Sequence, residues 1–166
     1  QYHNLPTVDG VEQAAGEEFA SADAQYTCDD ASASVGLDIG GAYPENAGIE
    51  SWYRTVRLDR SVGVTVEDAY ELRGDPTSMT WCLLTASAAT LRQPGVIELS
   101  EVPLPGGRAS GAGHLRYDAN TLDAAIEEIE FRAGHLLGRL LQLPGWHPEA
   151  DQRVDEDLEI RLYRLP

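Results

Sequence analysis

From Glu17 onward, short stretches in which apolar and polar residues alternate recur between turn-forming residues, the pattern of antiparallel strands with one wet face. The clearest covers residues 51–58, where Trp52, Arg54, Val56 and Leu58 share one parity and Thr55 and Val56 add β-branching. Asp59, Arg60 and Ser61 form a link short enough for a hairpin, and residues 62–72 follow with Val62, Val64 and Val66 on one face. After a turn at Gly74-Asp75-Pro76, residues 77–85 predict a largely buried strand, Met79, Trp81 and Leu83 facing one way and Thr80, Cys82 and Leu84 the other. Gln93-Pro94-Gly95 predicts a turn before a short strand at residues 96–99. The Pro- and Gly-rich residues 103–107 and 110–113 predict a flexible loop around a weak central segment. The last strand covers residues 158–165, where Leu158, Ile160 and Leu162 alternate against Glu159, Arg161 and Tyr163.

Two segments carry a helical period instead. Leu122, Ala125, Ile126 and Ile129 fall at i, i+3, i+4 and i+7 after a capping Asn120-Thr121, which by periodicity alone predicts a helix. Leu136, Leu137, Leu140 and Leu141, between His135 and Leu143, do the same and stop at Pro144-Gly145. Residues 42–47 predict a helical turn before Gly48, and residues 36–41, with Gly36, Gly40 and Gly41, another turn. Short strands at intervals of about ten residues predict an all-β fold: an antiparallel β-sandwich of two packed sheets with one or two short peripheral helices, one domain over residues 1–166.

Charge narrows the function. Asp and Glu number 28 against 12 basic residues, a net charge of −16, and acidic residues intervene between nearly all the arginines. A protein that neutralises phosphates needs a basic stripe, so no nucleic-acid partner is expected. All the basic residues are Arg, which removes side-chain amine chemistry. No window approaches the ~18 apolar residues of a membrane helix, and no basic stretch followed by an apolar one opens the chain, so no membrane partner is expected. Met79 is the one methionine, which suggests a processed product, a trimmed chain or a fragment. Cys28 and Cys82 are too few for a disulfide framework and read first as buried thiols on strands, with a single bridge left open.

Candidate chemistry is sparse. His3, His114, His135 and His147 lack any compact metal-ligand spacing, neither cysteine lies in a C-x-x-C, and there is no G-x-S-x-G. Asp29-Asp30, Glu67-Asp68 and Glu127-Glu128-Glu130 read as solvated turns and strand faces rather than acid–base pairs, so this chain is expected to hold no catalytic residue. Gly36-x-x-x-Gly40-Gly41 lacks the Lys and helix context of a phosphate loop. Trp52 and Trp81 sit in strand patterns and read as core. The alternative function is a free-standing carbohydrate-binding module stacking sugars on Trp52, Tyr53 or Trp146.

The segment His3-Asn4-Leu5-Pro6-Thr7-Val8-Asp9-Gly10-Val11-Glu12-Gln13 resembles the H-N-x-x-x-(I/V)-(N/D)-G-x-x-Q motif of heparinase II/III-like polysaccharide lyases. Residues 52–60, 66–72, 94–97 and 161–165 look like successive strands of that family's C-terminal β-sandwich, in the family's order. The resemblance implies an α-helical toroid joined to β-sandwich layers that cleaves uronate-containing polysaccharides by β-elimination. This chain would be the C-terminal sandwich, residues 1–16 adjoining the catalytic region. The implied partner is the N-terminal toroid, whose Tyr/His apparatus acts on an acidic polysaccharide. Some members hold a structural zinc through an upstream His/Asp set and the motif His. That makes His3 a zinc ligand in the complete protein, with no cofactor for this chain alone. Gly10 would supply the turn after Val8-Asp9, and Asn4 and Gln13 are given no catalytic role.

The resemblance also makes residues 121–131 a strand despite their helical period, and residues 134–154 a connection longer than the family's usual one. A −16 surface repels a polyanion over about 8 Å at physiological salt, so substrate capture is expected in the toroid or at the junction around His3.

Overall fold

The structure, a computed structural model, describes residues 4–130 and 159–165. His3, His135, Trp146 and His147, the helix predicted at residues 135–143 and the connection at 134–154 lie outside them. The fold is all-β. Two compact units divide it: one spans Pro6–Thr80, the other runs from Trp81 onward and includes Asn4 and Leu5.

In the first unit, β1 (Pro6–Val8) doubles back through Asp9-Gly10. Val8 and Val11 exchange both backbone hydrogen bonds, at 3.3 and 2.8 Å, and Asp9 and Gly10 have φ of 49° and 75°. Two successive left-handed residues are what a type I′ hairpin turn requires, so Gly10 provides the turn expected of it. β2 (Ala22–Cys28), β3 (Ser32–Asp38), β4 (Ile49–Asp59) and β5 (Gly63–Leu72) then form one sheet in chain order. The predicted hairpin is present as β4 and β5, with Trp52 opposite Tyr70, Arg54 opposite Asp68 and Val56 opposite Val66.

Aspartates build the tight turns. Asp29 accepts the Ala31 and Ser32 N–H groups at 2.8 and 2.7 Å between β2 and β3, and Asp59 accepts the N–H and Oγ–H of Ser61 between β4 and β5. Between β3 and β4 lie two 3-10 turns, Gly40–Ala42 and Glu45–Ala47, the second ending on Gly48 at φ 66°. The helical turn predicted at residues 42–47 is therefore present. Gly36, expected in a turn, is instead buried within β3: a Cβ there would stand 2.7 Å from the Tyr53 hydroxyl, so a glycine lets that ring lie across the strand.

The second unit contains β6 (Met79–Thr85) from Trp81 onward, β7 (Ala88–Gln93), β8 (Val96–Ser100), β9 (Pro103–Leu104), β10 (Arg108–Ala109), β11 (Gly113–Arg116), β12 (Ala125–Glu130) and β13 (Glu159–Leu165). Successive strands from β2 to β5, β6 with β13, β12 with β13, β7 with β8, β8 with β11 and β9 with β10 pair antiparallel. β13 lies between β6 and β12, and β8 lies between β7 and β11. Ile97 of β8, fully buried, has Trp81 and Leu83 of β6 and Ala124 and Ile126 packed on it beside Ala89, Leu99, Leu115 and Tyr117. Two sheets thus close on one apolar layer, the sandwich arrangement expected from the sequence.

Several sequence expectations need correction. Within 121–131, Ala125–Glu130 form strand β12, as the resemblance implies and against the helix their period predicts: β12 pairs with β13 along six residues, and the single turn begun at Asp118 does not propagate. Its carboxylate accepts the Asn120 N–H and its carbonyl accepts those of Thr121 and Leu122. The expected flexible loop at 103–113 contains a short hairpin, β9 with β10, turned by Gly106 and Gly107 at φ 74° and 72°. The strand expected at 77–85 covers Met79–Thr85 and is half-buried throughout rather than largely buried, with Thr77 and Ser78 exposed before it. Cys28 is exposed rather than core; Cys82 is half-buried.

Candidate functional site

The best-defined polar arrangement lies on one face of the β2–β5 sheet. Trp52, Arg54, Val56 and Leu58 of β4 point to the same side, and the register sets Tyr70, Asp68, Val66 and Val64 of β5 beside them. Trp52 is completely buried and its indole stacks on the Tyr70 ring, with centroids 4.5 Å apart and planes 22° from parallel. Next along the strand, the Arg54 guanidinium grips Asp68 with two hydrogen bonds, Nε to Oδ1 at 2.7 Å and Nη2 to Oδ2 at 2.6 Å. Both side chains are nearly out of solvent, at 11% and 7% exposure. Burying either charge alone would be costly, and the parallel two-bond geometry satisfies both.

Around this row the chain is tied by its own polar groups. Asp38 Oδ1 accepts the Gly40 and Trp52 N–H groups at 2.8 and 3.2 Å, fixing the corner that leads from β3 into β4. The Tyr43 hydroxyl donates to the Pro6 carbonyl at 2.6 Å, holding β1. Asp9 grips Ser78 twice, donating its N–H to the Ser78 carbonyl and accepting the Ser78 N–H on Oδ1 at 2.8 Å. In the second unit Asn4 Oδ1 accepts the Leu84 N–H at 2.6 Å. The motif residues Asn4, Asp9 and Gly10 therefore act through turn geometry and strand docking.

The titratable groups with shifted affinity are exposed, as Asp29 and Asp118 are, or half-buried, as Asp59 and Glu98 are. The Ser32 and Ala31 N–H groups hold Asp29 below the usual carboxylate range, the Ser61 hydroxyl and N–H do so for Asp59, and Asn120 does so for Asp118. Glu98 is lowered chiefly by its bond from Arg92, with His114, directly opposite on β11, a smaller contributor.

Among the described residues no three His, Cys, Asp or Glu side chains converge as a metal site, and His3 lies outside them. Asp29 and Asp30 lie in a turn; Glu67 and Asp68 fall on opposite faces of β5, only Asp68 meeting Arg54. Trp52, buried to 0% exposure, cannot serve as a sugar platform, and Tyr53 is half-buried with its ring over Gly36. Sequence reasoning missed the Arg54–Asp68 pair. Its signal was a charged residue in register with Trp52, Val56 and Leu58, matched by Asp68 in register with Val64 and Val66. No protein-family model matches the chain, and no curated protein matches it.

Proposed function

We propose that this chain is the C-terminal β-sandwich portion of a heparinase II/III-like polysaccharide lyase, supporting a catalytic region rather than supplying its reacting groups. The observation that carries the reading is where the motif residues act. Trp52, Arg54 and Asp68 form the buried row of the first unit, the exposed Tyr70 ring stacks on Trp52, and Asp9-Gly10 forms its entry turn. Residues carrying the resemblance are the ones on which the fold depends.

The reaction so served is a β-elimination. A base in the catalytic region removes the proton on the carbon next to the uronate carboxylate. That electron pair forms a carbon–carbon double bond as the glycosidic oxygen leaves and takes up a proton. In this reading His3 joins an upstream His/Asp set to hold zinc; no step above passes through that metal.

The test is ultraviolet absorbance from the unsaturated uronate product. The full-length gene product should generate it from a uronate polymer, and the 166-residue chain alone should not. Release by the short chain by itself, or none by the full-length protein across uronate polymers, rejects the assignment.

A further inference from the structure

The row that buries Trp52 and Arg54 continues along the same sheet face to a half left open to solvent. Opposite partners in the register place Cys28, Ala33, Leu58 and Val64 in one line and Tyr26, Val35, Val56 and Val66 in the next. Exposures are 70% for Tyr26, 64% for Val64, 52% for Val66, 41% for Tyr70, 40% for Val35 and 37% for Leu58. The other face of the strands carries Ser32, Ser34, Thr55, Arg57, Thr65 and Glu67, so the sheet is amphipathic and its exposed apolar side chains gather on one side. No charged residue belongs to the open lines; Arg60 stands near the Tyr26 hydroxyl, and at the other border Arg54 and Asp68 neutralise each other.

We propose that this face is a self-association surface, covered in solution by the same face of a second copy of the chain. The uncovered apolar side chains amount to about 500 Å² per copy, or about 1,000 Å² for a face-to-face pair, the lower edge of what a specific interface buries. A sheet face of valines with two tyrosines can match itself: two such faces related by a twofold axis would interdigitate about 10 Å apart as the halves of a sandwich do. Charge sets the conditions. Each copy carries −16, so pairing is opposed at long range and strengthens as salt shortens the reach of that repulsion. This surface stands independently of the lyase assignment.

Sedimentation equilibrium of the 166-residue chain tests it. At about 1 M salt, where the Debye length is about 3 Å, the mass should rise with concentration from 18.0 kDa toward twice that value. Val64→Glu, at an exposed position on the open face, should weaken pairing at least about tenfold. Thr65→Glu adds the same charge on the opposite face and should change pairing less than about twofold. Circular dichroism melting confirms that both variants are folded. Pairing should also slow maleimide labelling of Cys28, read by peptide mass mapping. A single 18.0 kDa species at every concentration, equal effects of the two variants, or Cys28 labelling unchanged within the dimer overturns the proposal.

Discussion

Arg54 and Asp68 form a pair whose value depends on both members being present. Removing one leaves the other charge buried, which typically costs about 3–5 kcal/mol. Arg54→Leu or Asp68→Leu should therefore lower the urea midpoint severely, while Arg54→Met combined with Asp68→Leu should recover most of the loss, because the neighbouring Val56 and Val66 already make that strip apolar. A double variant as unstable as the worse single one would show that the ion pair is needed for itself. The strand holding Arg54 was legible from alternation, but the pairing was not. An Arg at an inward position reads as a flaw in the pattern until the register shows the Asp opposite it.

At the scale of elements, local signals and tertiary pairing disagree in instructive places. Residues 122–129 carry a full helical stripe, yet Asp118 closes a turn with Asn120, Thr121 and Leu122 and the chain leaves it extended to meet β13. β7 escaped attention because its run, Ala88–Gln93, has little β-branched or aromatic content beyond Thr90; it exists because Pro94-Gly95 folds it back onto β8. Gly36 shows the reverse, a turn-former held in a strand by an aromatic neighbour. Gly36→Ala should cost about 1–3 kcal/mol by forcing the Tyr53 ring aside, and Tyr53→Ala in the same chain should remove most of that penalty. Additive losses in denaturation would reject this account. Gly10→Ala differs, for nothing lies within 4 Å of a Cβ there and the left-handed φ alone should cost about 1–2 kcal/mol.

For the molecule as a whole, the excess of carboxylates is the governing term. A net charge of −16 strains the compact state, so raising salt to about 1 M should raise the melting temperature even where no ion pair is involved. Unchanged or lower melting in salt would contradict this. Acid acts in two stages. Near pH 5 ordinary carboxylates begin to take up protons and the repulsion eases. Asp29, Asp59 and Asp118 hold lowered affinities in the fold, so their contribution is complete above the unfolded carboxylate range near pH 4 and disappears as pH drops through their folded values. At low salt, thermal stability should peak near pH 5 and drop steeply below about pH 4; a profile rising into stronger acid would exclude the turn carboxylates as contributors.

The contacts of Asn4 and Asp9 bear on the order in which the protein assembles on the ribosome. Asp9 meets Ser78 across 69 residues and Asn4 meets Leu84 across 80. Asn4 and Asp9 must therefore wait for partners that emerge much later, whereas β2 to β5 need only their sequence neighbours and can form as they appear. This segment is docked late: the Asp9 anchor waits for residue 78 to clear the exit tunnel and the Asn4 anchor for residue 84.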